Sequence, residues 1–218
     1  MAHAAAGAPE VYGEKGALGL VVVHEVFGRD EYVRSVARDL AAAGYPTAAV
    51  DLYDGRYLSN LEEARAFRAG LADSAILDKL DAARSAVRPR LPSHARIGTV
   101  GFCMGGGVAL LAACHRHFDF AVDYYGRIER AADVEGLEGP LLLVLASEDE
   151  RVTPWAFAEL LPAAVKAKKR ISVELYAGVR HAFHRPGWEG HHSATAAAAW
   201  RRTLAFLAEE ASLAPGRR

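Results

Sequence analysis

Apolar residues fall into short unbroken runs, separated by segments in which they recur every three or four positions. Leu18 to His24 reads LGLVVVH, without polar alternation, and predicts a strand buried on both faces. Glu25 to Gly28 then predicts the loop at its carboxyl end. From Asp30 onward Val33, Val36, Ala37 and Leu40 keep helical spacing, with Gly44 placed to end the helix. Pro46 to Asp51 predicts the next strand. A polar loop over 52–59 leads to two helical stretches, one marked by Leu61, Ala64, Phe67 and Leu71, the other by Ile76, Leu77, Leu80, Ala83 and Val87. Pro89 and Pro92 close them. Strands are predicted at Arg96 to Gly101, Phe120 to Tyr125, Leu141 to Ala146 and Ile171 to Tyr176. Helices are predicted at Val108 to Cys114, from a Thr153 cap with Pro154 in the first turn through Val165, and from Ser193 to Glu210 with Trp200, Leu204 and Leu207 on one face. At least six strands alternating with helices imply a mostly parallel sheet flanked by helices, with ligands at the carboxyl ends of the strands.

One of those ends carries a distinctive turn. Gly101-Phe102-Cys103-Met104-Gly105 sets a thiol between glycines, with a strand before it and a helix after it. Gly-x-Cys-x-Gly in that setting is the cysteine form of the nucleophile elbow, which projects its central side chain above a sheet. Cys114 has no such context and is expected to pack in the core. Asp149 follows the strand LLLVLA, and His181 follows the last strand. Nucleophile, acid and histidine then occur in the chain order of α/β-hydrolases. In that arrangement His181 takes the thiol proton and Asp149 fixes the imidazole tautomer. Glu148 and Glu150 compete with Asp149, and His184, His191 and His192 with His181.

Composition narrows the partners. The 218 residues suit one domain, and 26 basic against 27 acidic residues give no electrostatic case for nucleic acid or an anionic membrane. Two cysteines so close in sequence form no disulfide framework, which favours a reducing compartment. The opening Met1 to Pro9 lacks a basic region and a long apolar core, and no later segment reaches spanning length, so a cytoplasmic protein is expected. His24-Glu25 starts a zinc-protease-like string, but Gly28 stands where the second histidine belongs. The elbow has neither dinucleotide-binding spacing nor a P-loop lysine. No cofactor or metal is expected.

Four motifs in register, Glu25-Val-Phe-Gly28, Gly101-Phe-Cys-Met-Gly-Gly106, Asp149-Glu-Arg-Val152 and His181-Ala-Phe183, together resemble the dienelactone hydrolase family over nearly the whole chain. The resemblance implies a Cys103, Asp149 and His181 triad, acting on a small-molecule ester or lactone; a monomer or a homodimer is expected. It implies that Glu25 contacts the resting nucleophile and moves when substrate binds. It further implies an oxyanion hole from the backbone N–H groups of Val26 and Met104, and substrate contacts from Phe27, Tyr125 and Arg185, the last pairing a substrate carboxylate. Asp30 stands where the family often has Asn, and Ala146 replaces a common Gly. A second substrate arginine has three candidates, Arg56, Arg65 and Arg68. Two other readings keep the same fold: a broad carboxylesterase or thioesterase with the same triad, and a non-enzymatic ligand-binding or redox-sensing protein.

Overall fold

The computed structural model describes residues 7–213. The start of the N-terminal segment read above for a leader, through residue 6, lies outside them. Among the described residues seven strands form one sheet: β1 (Glu10–Tyr12), β2 (Leu18–Val23), β3 (Thr47–Ala49), β4 (Arg96–Phe102), β5 (Ala121–Tyr124), β6 (Leu141–Ala146) and β7 (Ile171–Tyr176). Their order is β1-β3-β2-β4-β5-β6-β7, and all pairs are parallel except β1 with β3. The antiparallel edge strand β1 was not anticipated. Three half-buried residues, Glu-Val-Tyr, are too short for a period-two pattern to register.

The inner strands β2 and β6 are covered on both faces, which is why they read as unbroken apolar runs, whereas the edge strand β7 leaves Val173 and Leu175 exposed. Leu18, Leu20 and Val22 of β2 face α1 (Glu31–Ala42) and α7 (Ser193–Ser212). Val21 and Val23 face the other layer, built from α2 (Leu61–Ala69), α3 (Asp73–Val87), α4 (Met104–His115), α5 (Val152–Trp155) and α6 (Leu161–Lys166). In α1 the predicted stripe Val33, Val36, Ala37 and Leu40 is the buried face. Gly44 follows the C-cap Ala43 with φ of 94°, and the Tyr45 N–H donates to the Leu40 carbonyl, closing the helix with an αL glycine as expected.

The segment after β6 departs from expectation. Thr153 is not the cap: its hydroxyl donates to the Ala146 carbonyl at 2.7 Å. The Arg151 and Val152 N–H groups at the start of α5 donate instead to Asp149 Oδ1, at 3.0 and 2.9 Å. Between α5 and α6 the helix widens into a π turn over Ala156–Leu160. Pro162, which has no N–H and crowds the carbonyl one turn back, lies just beyond that turn. No helix among the described residues is long and apolar enough to cross a membrane.

Candidate active site

Parallel pairing brings the carboxyl ends of β2, β4, β5, β6 and β7 to one edge, and each is followed by a residue singled out above. Cys103 sits where β4 turns into α4, with φ 54° and ψ −122°, a strained conformation for a side-chain-bearing residue. Its N–H donates to the Tyr124 carbonyl at 2.9 Å, and its carbonyl accepts from Gly106 N at 3.0 Å, which holds the strained residue in place. The glycines are required by contact. A Cβ on Gly105 would lie 2.5 Å from the carbonyl oxygens of Val23 and His24, and one on Gly101 would strike the Gly105 carbonyl at 1.9 Å.

His181 bridges the thiol and the acid. Its Nε2 is 3.1 Å from Cys103 Sγ, and its Nδ1 is 2.6 Å from Asp149 Oδ2. The competing carboxylates Glu148 and Glu150 are exposed, whereas Asp149 is buried. Burial disfavours the imidazolium, but the hydrogen bonds to Asp149 and Cys103 outweigh it and carry the His181 pKa up to about 10. Burial likewise opposes the Asp149 carboxylate, yet bonds from His181 and from the Val152 and Arg151 N–H groups hold its pKa below the usual carboxylate range. One aspartate therefore caps α5 with one oxygen and orients the histidine with the other. The ring of Tyr125, at the end of β5, lies 5.0 Å from that of His181.

Val26 and Met104 both line the cleft above Cys103. Met104 opens α4, where first-turn N–H groups have no partner within the helix. The loop carrying Val26 is pinned from below by His24, a residue the sequence reading passed over. Leu52 N–H donates to His24 Nε2 at 3.1 Å, so the proton is on Nδ1, which donates to the Glu25 carbonyl at 2.6 Å. Complete burial keeps this imidazole neutral, with its pKa lowered to about 4.

Glu25 and Arg185 both border the cleft, but they bond to each other. Arg185 Nη1 donates to Glu25 Oε2 and Nη2 to Asp30 Oδ2, each at 2.5 Å. Glu25 therefore stands with Arg185 while the thiol stands with His181. Phe27 lines the cleft and packs on Trp188 at 5.5 Å between ring centroids. Trp188 escaped the sequence reading, because an aromatic in a polar loop gives no periodic signal. Of the three arginine candidates, Arg65 and Arg68 line the cleft and Arg56 does not. Arg56 stacks over Phe67, and Arg68 bonds Asp73 at 2.7 Å. The cleft is open to solvent along one side, has a volume of about 1580 Å³ and runs from Cys103 along α4 past Val108 and Leu111 to His115.

The model of the Dienelactone hydrolase family matches residues 6–211. Carboxymethylenebutenolidase of Pseudomonas putida is 28% identical over 207 residues, covering 90% of this chain and 87% of the relative. A putative carboxymethylenebutenolidase of Salmonella typhi is 30% identical over 212 residues, 89% of this chain and 78% of the relative. Among solved structures, a putative dienelactone hydrolase from Klebsiella pneumoniae subsp. pneumoniae matches with a TM-score of 0.83 and 24% identity, over 90% of this chain and 89% of that one, a likeness of fold. With one family model spanning nearly the whole sequence, the chain belongs to the dienelactone hydrolase family, and it is an α/β-hydrolase acting on lactone or ester bonds.

Proposed function

We propose that the protein hydrolyses the carboxylic ester or lactone bond of a small molecule through an acyl-enzyme on Cys103. The observation that carries this reading is the relay Cys103 Sγ, His181, Asp149, with contacts of 3.1 and 2.6 Å, placed on the strained elbow at the floor of the cleft. His181 holds the thiol proton on Nε2, so Cys103 attacks as thiolate. A C–S bond forms, and the carbonyl π electrons move to oxygen, where the N–H groups of Val26 and Met104 stabilise the oxyanion. Collapse breaks the C–O bond, and the departing alkoxide takes the Nε2 proton. Neutral His181 then accepts a proton from water, the hydroxide attacks the thioester, and the thiolate leaves. Glu25, bonded to Arg185, stays off the thiol during these steps.

The length of the cleft favours a second reading, a broad carboxylesterase or thioesterase, because 1580 Å³ exceeds the roughly 300–1,000 Å³ that suits a drug-sized ligand. Kinetics with a small uncharged enol lactone, 4-nitrophenyl esters of increasing acyl length and acyl thioesters separate the two. Under either reading Cys103→Ala and His181→Ala are expected to lower kcat/KM by about 10³-fold or more. Retained hydrolysis in both variants contradicts the proposed chemistry, and an oxidisable Cys103 without turnover returns the protein to the redox-sensing class.

A further inference from the structure

Arg185 is a cation at the wall of the cleft, and the resemblance alone gives it a substrate carboxylate as partner. Its surroundings already supply two carboxylates. The two terminal nitrogens are each bonded to a carboxylate, Glu25 on one side and Asp30 on the other. Its guanidinium carbon sits 5.1 Å from the Tyr32 ring centroid and 5.7 Å from that of Phe27, so both aromatic faces add to its restraint. The side chain is 13% exposed and the Glu25 side chain 3%. One positive charge between two negative ones gives these three side chains a net charge of −1, or zero where the buried Glu25 is protonated. In neither state is it positive.

Asp30 is itself fixed. Its Oδ1 accepts the Val33 N–H at 3.2 Å as the N-cap of α1, and its Oδ2 takes Arg185. The helix start therefore holds a carboxylate in register with the arginine. An incoming carboxylate would have to displace a preformed charge-assisted bond and lie beside the displaced like charge, which disfavours it strongly. Arg65, Arg127, Arg130, Arg151 and Arg180 also border the cleft, but all are exposed, and water and salt screen their charges.

We propose that Asp30 is a specificity-determining residue: by occupying the second arm of Arg185 it selects uncharged lactones and esters and rejects substrates that carry a carboxylate near the scissile bond. This rests on the hydrolase reading of Cys103. Asparagine at position 30 keeps an oxygen for the Val33 cap but turns an NH2 group toward Arg185, which then has one arm free. Serine also caps the helix while removing the carboxylate.

The test compares two esters of equal chain length, 4-nitrophenyl hexanoate and mono-4-nitrophenyl adipate. The wild type is expected to favour the hexanoate in kcat/KM by about tenfold or more, and Asp30→Asn and Asp30→Ser to reduce that preference by about fivefold or more, mainly through a lower KM for the adipate ester. Glu31→Gln removes the same charge from the neighbouring exposed residue, which pairs with Arg38. It is expected to leave the ratio where it was. A wild type that prefers the adipate, a ratio unmoved by both Asp30 variants, or a Glu31→Gln shift of equal size overturns the assignment. Failure of the wild type to cleave either ester contradicts the hydrolase reading itself, whereas active enzymes with an unmoved ratio contradict only the role of Asp30.

Discussion

The two cysteines of this chain differ by environment alone. Cys103 has an imidazole at 3.1 Å and borders an open cleft. Cys114 is buried at the far end of the same helix, and burial, then the nearby Asp133, push its thiol up to about 12. At pH 7 iodoacetamide is expected to label Cys103 in the folded protein and to spare Cys114, with peptide mapping as the readout. The sign of the pH dependence follows from His181. Its pKa lies well above the ordinary imidazole value of about 6.5, so a positive charge beside Sγ persists through neutrality. Asp149→Asn removes a bond that raises it while still offering an oxygen to the Arg151 and Val152 N–H groups. That variant is expected to slow Cys103 alkylation about tenfold between pH 6 and 7, and an unchanged profile would contradict the assigned orientation of the ring. Cys103 and Asp149 were legible as candidates because each follows a buried apolar strand, and His181 because it follows the last strand, which fixes the end of the sheet each occupies. The partners of Arg185 were not legible. Asp30 lies 155 positions away, and only the closing of the fold brings the two together.

At the scale of elements, the elbow shows why small residues flank the nucleophile. α4 leaves β4 so sharply that the backbone of its first turn touches the end of β2. Gly105→Ala would drive a methyl into two backbone carbonyls that have no room to withdraw. It is expected to destabilise the protein by about 2–3 kcal/mol and lower Tm by about 5 °C or more, measured by thermal unfolding. A variant as stable as the wild type would mean that the elbow is looser than drawn. Element type was readable wherever a run was long and evenly patterned, as in β2, β4, β6 and α1. It failed where tertiary contacts overrode local signals. Thr153 and Pro154 form a good helix-start signature, yet Asp149 reaches the first N–H groups of α5 and frees the Thr153 hydroxyl for β6. The π turn before Pro162 likewise has no counterpart in an apolar pattern tuned to 3.6 residues per turn.

At the scale of the molecule, one geometric fact organises the site. Six strands run parallel, so the loops after five of them meet at a single edge, and residues from Glu25 to His181 converge although they span most of the sequence. The order of chemistry along the chain reported that convergence before any coordinate did, because parallel strands joined by helices leave only one edge for the loops that follow them. The size of the cleft and the pairing of its charges are properties of the assembled walls and had no signature in any single segment. The central claim is a covalent acyl group on Cys103, and the most direct measurement is to mix the enzyme with a 4-nitrophenyl ester, quench in acid within the first turnovers, and map the adduct by mass spectrometry. A mass increase equal to the acyl group on the peptide containing Cys103, labile to hydroxylamine and absent from Cys103→Ala, is the expected result. Steady turnover with no adduct on that peptide, and undiminished turnover by Cys103→Ala, would contradict it.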